Sequence, residues 1–161
     1  MTSTEASLSE SNESNSFWFM SGLVTVHLSK AANADGISII EHLLPAGFGP
    51  PFHIHRDEDE TFYVLEGEFR FKQGEAIRHA QPGDVVHLPK GVPHGFRVLS
   101  AGGGRCLTIT RGGFEAMVRS ASLPATAVIL PEQVEPTPEM QAHLAALCAE
   151  NGIDLVGPPI D

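Results

Sequence analysis

Short apolar segments follow one another at nearly regular spacing between residues 23 and 110, and turns rich in glycine and proline separate them. Apolar and polar side chains alternate within these segments: in residues 23–28, Val24, Val26 and Leu28 share one face. An alternation with a period of two is typical of a β-strand that buries one face. Many short strands joined by tight turns favour an all-β chain that folds as an antiparallel barrel or jelly roll. Further strands are predicted at 37–44, around the histidine pair at 53–55, and at 60–65, 68–72, 76–79, 85–88, 95–99 and 105–110.

The composition changes at both ends of this series. Residues 1–16 are polar and of low complexity, which predicts a disordered N-terminal segment. We assign residues 17–120 to the barrel and 121–161 to a C-terminal extension. Within the extension, Thr137 and the proline that follows it are typical of a helix start. An apolar stripe then predicts a short amphipathic helix at about 138–150, packed on the barrel.

The charge and the cysteines of the sequence exclude several classes of function. Ten basic and 20 acidic residues give a formal net charge of −10, whereas a nucleic-acid partner requires clustered lysine and arginine. No apolar run approaches the length that crosses a bilayer, and the N-terminus shows no signal peptide. Cys106 and Cys148 lack metal or redox spacing, so reduced thiols are expected. We therefore expect a cytoplasmic protein that binds neither nucleic acid nor membrane.

Residues 47–67, GFGPPFHIHRDEDETFYVLEG, contain a group of possible metal ligands. His53 and His55 are two positions apart, so in a strand both side chains lie on the same face. Glu60 follows five residues after His55. Two imidazoles and a carboxylate from adjacent strands make up most of a transition-metal site. A histidine pair by itself is common in sequences that bind no metal, so the assignment depends on a further ligand.

A second stretch, GDVVHLPKGVPHGFRV, supplies that ligand. Gly83 is followed after five residues by Pro89, and then by Gly91 and His94. The two stretches together resemble the two motifs of the cupin superfamily, with matching spacing at every ligand position. The last position of the second motif, usually asparagine, is Val98 here. That asparagine is not a ligand in the family, so the difference leaves the metal site intact.

The resemblance implies a cupin β-barrel, also called a double-stranded β-helix, made of two antiparallel sheets. It also implies one divalent transition metal per chain, held by His53, His55, Glu60 and His94. Three nitrogens and one oxygen leave one or two coordination positions open, as in a catalytic site. Such ligands suit Fe, Ni, Mn, Co, Cu or Zn, and the ligand types do not choose among these metals.

The remaining acidic residues and histidines have simpler interpretations. The acidic run at residues 57–59 is predicted to be a solvent-facing loop that makes the potential near the site more negative. His42 and His87 lie on predicted barrel strands and could line a cavity, although packing elsewhere explains each of them as well. Surface positions are predicted for His27, His79 and His143.

Strand alternation also predicts which side chains surround the site. If Glu60 points inward, Phe62 and Val64 point inward as well. Phe96 and Val98 follow His94 inward in the same way. These four residues are therefore candidates for substrate contact, and they predict an apolar or aromatic small-molecule substrate. Ordinary core packing explains the same four residues equally well.

The sequence most resembles small bacterial single-domain cupins similar to quercetin 2,3-dioxygenase. The stretches FWF, IIEHLLPAGFGPPFHIH, EDETFYVLEGEF and NGIDLVGPP carry this resemblance. It implies a metal-dependent dioxygenase that uses O₂ to cleave an enol-containing aromatic or dicarbonyl compound, with Glu60 as the catalytic base. A non-oxidative isomerase, cyclase or lyase and a non-catalytic small-molecule-binding barrel are the alternatives. We also expect a homodimer, in which residues 17–19 either cross to the partner or pack on their own barrel.

Overall fold

The structure is a computed structural model that describes residues 5–161 of the chain. Its strands are β1 Ser16–Phe19, β2 Gly22–Leu28, β3 Ser38–Leu44, β4 Phe52–His55, β5 Glu60–Glu66, β6 Phe69–Gln73, β7 Ala76–Ala80, β8 Val85–Leu88, β9 His94–Val98, β10 Gly104–Thr110, β11 Leu123–Pro124 and β12 Ile153–Gly157. The helices are α1 Phe114–Ala121 and α2 Pro138–Glu150, and Lys30–Ala32 forms a short 3₁₀ turn. No helix in this described part of the chain is both long and apolar enough to span a membrane.

The strands form two antiparallel sheets, which confirms the predicted all-β barrel. One sheet has seven strands in the order β11-β1-β2-β3-β10-β5-β8. The other has five strands in the order β12-β4-β9-β6-β7. Apolar side chains from both sheets join in a single buried cluster, so the sheets face each other. The phenylalanines of this cluster are Phe62, Phe69, Phe71 and Phe96.

Two glycines allow the strand ends to approach closely at one end of the barrel. Gly67 has a φ of 78° and Gly103 a φ of 85°, a backbone region that favours glycine. A Cβ at Gly67 would lie 2.5 Å from the carbonyl oxygen of Gly103. A Cβ at Gly103 would lie 2.4 Å from the carbonyl oxygen of Leu44. Both turns therefore require glycine for space as well as for backbone conformation.

The C-terminal segment contributes to both sheets, whereas the sequence predicted only an extension packed on the barrel. Strand β12 pairs with β4, and Ile153 lies opposite His55. Strand β11 pairs with β1. The two strands have five and two residues, which is too short for a clear alternation. The segment is therefore part of the frame that holds the histidine strand.

Helix α2 begins and ends with recognisable capping groups. The Thr137 hydroxyl accepts a hydrogen bond from the Met140 amide, with a donor–acceptor distance of 3.2 Å. Cys148 is buried, and Leu144 packs against a second apolar cluster that includes residues of α1 and β12. Met140 is 51% exposed, so the apolar stripe contacts the barrel only over its C-terminal half. The helix packs against α1 and β12.

The N-terminal residues lie along the outside of the seven-stranded sheet. Residues 5–15 contain no helix or strand, and the Asn15 carbonyl accepts a hydrogen bond from the Val26 amide. The predicted disorder of residues 1–16 stays a prediction. Residues 1–4 lie outside the described part of the chain, and at the other end of the segment Ser16 is the first residue of β1. Strand β1 pairs on one side with β2 and on the other with β11, both of the same chain. The aromatic residues 17–19 thus pack on their own barrel.

Candidate metal centre

Three neighbouring strands bring four possible metal ligands together. His53 and His55 alternate with Ile54 on β4 and are both buried. Glu60 is the first residue of β5, and His94, the first residue of β9, pairs with His53 across the five-stranded sheet. One nitrogen or oxygen atom from each of the four side chains lies within 4.8 Å of the others. The four residues predicted as ligands thus form one buried cluster.

The Glu60 carboxylate lies between two of the imidazoles. Its Oε2 is 3.2 Å from Nε2 of His94 and 3.5 Å from Nε2 of His55. The His53 ring centroid is 4.6 Å from that of His94 and 5.2 Å from that of His55. The side chains therefore converge through their outer atoms, as ligands around one ion do.

The other ring nitrogen of each histidine is already engaged. Nδ1 of His53 lies 2.7 Å from the Pro51 carbonyl oxygen, and Nδ1 of His94 lies 3.1 Å from that of Val92. Since a carbonyl can only accept, each Nδ1 donates and each Nε2 keeps its lone pair. A hydrogen bond of this kind sets the tautomer and the ring orientation of a metal-binding histidine.

The third histidine is held by a carboxylate that sequence reasoning placed in solvent. Nδ1 of His55 lies 3.3 Å from Oε1 of Glu58, which is only 5% exposed. Glu58 also accepts hydrogen bonds from the backbone amides of Gly112 and Phe114, the latter at 2.8 Å. The predicted solvent-facing loop is therefore wrong for the middle residue of the acidic run. Asp57 and Asp59 are exposed, as predicted.

A buried atom without a partner shows that these residues fit a cation. Within the described chain, Nε2 of His55 is enclosed by protein and makes no hydrogen bond. A buried polar atom left unsatisfied costs about 1–3 kcal/mol. A divalent transition metal among the four side chains would use this lone pair and the Glu60 carboxylate together. The cluster can therefore hold such a metal, and its ligands do not identify which one.

The electrostatics of the cluster keep Glu60 ionised and His53 neutral, the forms in which each can bind a metal. Burial favours the neutral form of Glu60, but His55 and His94 outweigh it and lower the pKa to about 2. Burial, reinforced by His94, lowers the pKa of His53 to about 4. Burial also opposes protonation of His55, but Glu60 and Glu58 together raise its pKa. Near neutral pH the site thus offers an ionised carboxylate and a neutral His53.

His53, His55 and Glu60 line a cavity of about 60 Å³, and most of its walls are apolar. Phe62 and Phe96, two of the four candidates for substrate contact, line it. Val64 and Val98 do not line it; they are packed in the buried cluster between the sheets. Alternation gave the correct face for both valines but could not give their depth along the barrel.

The C-terminal elements supply walls of this cavity that the sequence did not predict. Leu144 and Cys148 come from α2, and Ile153 and Leu155 come from β12. The alternation of Ile153 and Leu155 is the only local signal that could have indicated them. Phe114 of α1 also contributes. The part of the chain that follows the barrel therefore forms part of the cavity wall.

One further histidine lines the cavity. His42 of β3 is 6% exposed, and its Nε2 lies 3.0 Å from Oγ1 of Thr108, which also lines the cavity. From the sequence alone, His42 could either line a cavity or pack elsewhere. His87, the other open case, is exposed on β8 and lies outside the cavity.

None of the three histidines predicted at the surface belongs to the ligand cluster. His79 and His143 are exposed. His27 is partly buried, and its Nε2 lies 2.8 Å from a carboxylate oxygen of Glu41. None of the three lines the cavity.

Comparison with known proteins agrees with this geometry. The family model described as Cupin domain matches residues 39–110, which include all four clustered side chains. The solved structure of a Cupin 2 conserved barrel domain protein from Salinispora arenicola CNS-205 superposes with a TM-score of 0.57 at 19% identity. The superposition covers 73% of this chain and 96% of that one, and it shows a shared fold.

Two curated relatives are enzymes of different classes. Dimethylsulfoniopropionate lyase DddQ from Ruegeria pomeroyi is 38% identical over 65 residues, which are 40% of this chain and 32% of that protein. Quercetin 2,3-dioxygenase from Bacillus subtilis is 30% identical over 95 residues, which are 58% of this chain and 28% of that protein. The chain thus matches less than a third of the length of either relative. The two-sheet barrel, the ligand cluster and the matching family model together show that residues 39–110 form a cupin domain.

Proposed function

We propose that this protein is a metal-dependent dioxygenase that cleaves an enol-containing aromatic or dicarbonyl small molecule with O₂. One observation carries the proposal: three histidines and Glu60 form one buried cluster, and His53, His55 and Glu60 line an apolar, partly aromatic cavity. Four protein ligands leave one or two coordination positions, and the open positions of such a site are where substrate and O₂ bind in a catalytic centre. The similarity to quercetin 2,3-dioxygenase supports the same class of reaction.

We assign a separate role to each residue of the site. His53, His55 and His94 would hold the metal, which when bound supplies Lewis acidity and, for a redox-active ion, electrons for O₂ chemistry. Glu60 is ionised and sits against two of these histidines, so it serves first as a ligand. The same carboxylate would also take the proton of the substrate hydroxyl as a general base. Phe62 and Phe96 present ring faces and edges to the substrate and keep water away from it.

Metal content is the first test of the proposal. The protein as purified is analysed for Fe, Ni, Mn, Co, Cu and Zn, beside His53→Ala and a control in which the exposed His143 is replaced by alanine. We expect close to one equivalent of metal in the parent and in the control. His53→Ala should lose most of it, because one of four ligands is gone. Equal metal content in the parent and His53→Ala would contradict the proposed ligand set.

Oxygen consumption is the second test. Metal-loaded protein is mixed anaerobically with flavonols and with 1,3-diketones, and O₂ is then admitted while an electrode records its uptake. Glu60→Gln keeps an oxygen ligand but accepts a proton poorly, so it should retain metal and lose turnover. No O₂ uptake with any compound of the panel would refute the dioxygenase.

A non-oxidative lyase or isomerase is the second candidate, and the similarity to a lyase over 65 residues favours it. In that case the Glu60 carboxylate would remove a proton next to a polarised carbonyl, and no O₂ would be needed. Turnover under argon with zinc as the metal distinguishes the two reactions. Tight binding of a compound without product in either gas would instead indicate a non-catalytic binding barrel.

The homodimer expected from the sequence also stays a proposal. Strands β7 and β8 each form one edge of their sheet, and Ile77 and Val85 on them are 51% and 64% exposed. An exposed edge with apolar side chains is suited to pairing with a second copy. Sedimentation velocity of the parent and of Ile77→Lys measures the oligomeric state, and the variant should dimerise less. A monomer at all concentrations would contradict it.

A further inference from the structure

His42 is the histidine of the cavity wall that the proposed metal site does not use. It lies on β3, on the sheet opposite the histidine strand, and is 6% exposed. Its ring stacks on Phe114, with the ring centroids 6.0 Å apart and an angle of 26° between the planes. His42 and Phe114 line the same cavity as Phe62 and Phe96. A polar ring buried in an otherwise apolar wall calls for a partner.

A chain of hydrogen bonds fixes the tautomer of His42. Nε2 lies 3.0 Å from Oγ1 of Thr108, and that oxygen lies 3.4 Å from the carbonyl oxygen of Ile40. The hydroxyl of Thr108 has a single proton, which goes to Ile40 because a carbonyl can only accept. Oγ1 therefore accepts from His42, and the ring proton is on Nε2. The lone pair of the imidazole is left on Nδ1.

Nδ1 of His42 forms no hydrogen bond within residues 5–161. Burial lowers the pKa of His42 to about 4, although Glu60 and Glu41 act in the opposite direction. The ring is therefore neutral near neutral pH, and Nδ1 can accept a hydrogen bond. The other residues on this side of the cavity, such as Leu44, Phe114 and Met117, offer no comparable acceptor in their side chains.

We propose that His42 binds the substrate directly, by accepting at Nδ1 a hydrogen bond from a hydroxyl or N–H group of the substrate. The substrate class is thereby narrowed to small aromatic molecules with a donor group besides the oxygen that binds the metal. Thr108 acts as a positioning residue, since it holds the ring in the Nε2–H form. This inference rests on the proposed function only for the placement of the substrate in the cavity. It does not require O₂ or turnover.

The test uses zinc-loaded protein and two rings of similar shape, phenol with a donor and toluene without one. Binding is followed by NMR of protein with ¹⁵N-labelled imidazoles, which also reports the tautomer of His42. We expect the Nε2–H tautomer in the free protein and a shift of the His42 Nδ1 signal when phenol is added. Phenol should bind on the order of five- to tenfold more tightly than toluene, the effect of one buried hydrogen bond.

Two variants separate this hydrogen bond from other causes of phenol binding. His42→Phe should abolish the preference for phenol while toluene still binds. Thr108→Val should reduce the preference and let the His42 ring adopt both tautomers. Thr110→Val is the matched control, because Thr110 lies on the same strand, its buried hydroxyl has no partner in the described chain, and it does not line the cavity. It should leave the preference unchanged.

Three results would overturn the proposal. One is an Nδ1–H tautomer of His42 in the free zinc-loaded protein. Another is a failure of phenol to bind more tightly than toluene, which includes the case that neither binds. The third is a phenol preference that survives in His42→Phe, since phenol would then bind the metal and not the histidine. Each result can occur whether or not the protein consumes O₂, so it is distinguishable from failure of the dioxygenase proposal.

Discussion

The Glu58 carboxylate connects His55 of the candidate metal cluster to the start of helix α1. Its Oε1 lies 3.3 Å from Nδ1 of His55 and 2.8 Å from the backbone amide nitrogen of Phe114. The amide of Gly112 donates to the other oxygen, and a Cβ at Gly112 would lie 2.7 Å from the Glu58 side chain. The carboxylate thus orients the imidazole from a position that is itself fixed by the backbone. Such a partner makes the histidine more basic towards a metal.

Replacement of Glu58 by glutamine should weaken metal binding without removing a ligand. The amide oxygen can still accept from one backbone N–H or from His55, but the negative charge is lost. We expect an affinity for zinc or cobalt about 10–100-fold lower, the usual effect of a lost outer partner. Competition with a chromogenic chelator measures it. Asp57→Asn, an exposed neighbour, is the control, and a Glu58→Gln variant that binds metal as tightly as the control would contradict the role.

The metal-free protein should become less stable as the pH is lowered, because His42 titrates. Its pKa is lowered from 6.5 to about 4 in the folded state, so the unfolded chain binds the proton more readily between these values. The contribution of His42 is therefore complete above pH 6.5 and is lost as the pH falls towards 4. His53 acts in the same direction. Urea unfolding with a chelator present, at several pH values, gives the slope of the free energy of unfolding against pH.

In His42→Gln this slope should decrease by up to about 1.4 kcal/mol per pH unit, the contribution of one proton. The matched control is His143→Gln, since His143 is exposed on α2. The control should keep the parent slope. An unchanged slope in His42→Gln would show that His42 is not buried in the neutral form.

Strand β12 should be essential to the stability of the barrel. Ile153 is 2% exposed and pairs with His55, whereas Val156 on the same strand is 48% exposed. Ile153→Ala should lower the free energy of unfolding by about 2–5 kcal/mol, because it leaves a void in the core. Val156→Ala should change it by less than about 1 kcal/mol. Urea unfolding compares the two, and equal effects would mean that β12 is only loosely attached.

The turn at Gly67 should tolerate no side chain. Gly67→Ala introduces a Cβ 2.5 Å from a carbonyl oxygen at a φ of 78°, so strain and overlap act together. Gly74 has a φ of 54°, and a Cβ there would meet no described atom within 4 Å, so Gly74→Ala should show the strain only, about 1–2 kcal/mol. We expect Gly67→Ala to be more destabilising than Gly74→Ala by at least about 1 kcal/mol. Thermal unfolding of both variants decides this.

The sequence was sufficient for those features that local patterns encode. Alternation identified the strands from β2 to β10, and motif spacing identified His53, His55, Glu60 and His94 as residues that meet. The direction of Glu58 could not be predicted, because it depends on backbone amides more than 50 residues later in the chain. The acidic neighbours on either side gave the appearance of a solvated loop.

The pairing of β12 with β4 could not be predicted for a related reason. A five-residue strand after a helix stop carries little periodic signal, and its pairing with β4 is a tertiary event. The position of a side chain along the barrel axis could not be predicted either. Phe62 and Val64 share a face of β5, yet only Phe62 reaches the cavity. His42 could be assigned to the cavity only once Thr108 and Phe114 were placed around it.

The pairing of β4 with β12 has a kinetic consequence for a newly made chain. Ile153, the partner of His55, follows it by nearly a hundred residues. Ribosomes add residues one by one, so β4 has an open edge until almost all of the domain has emerged. Contacts between such distant residues also slow folding, because a long loop must close first. The strand that carries His53 and His55 is thus completed late, and until then its edge is available for pairing with other chains.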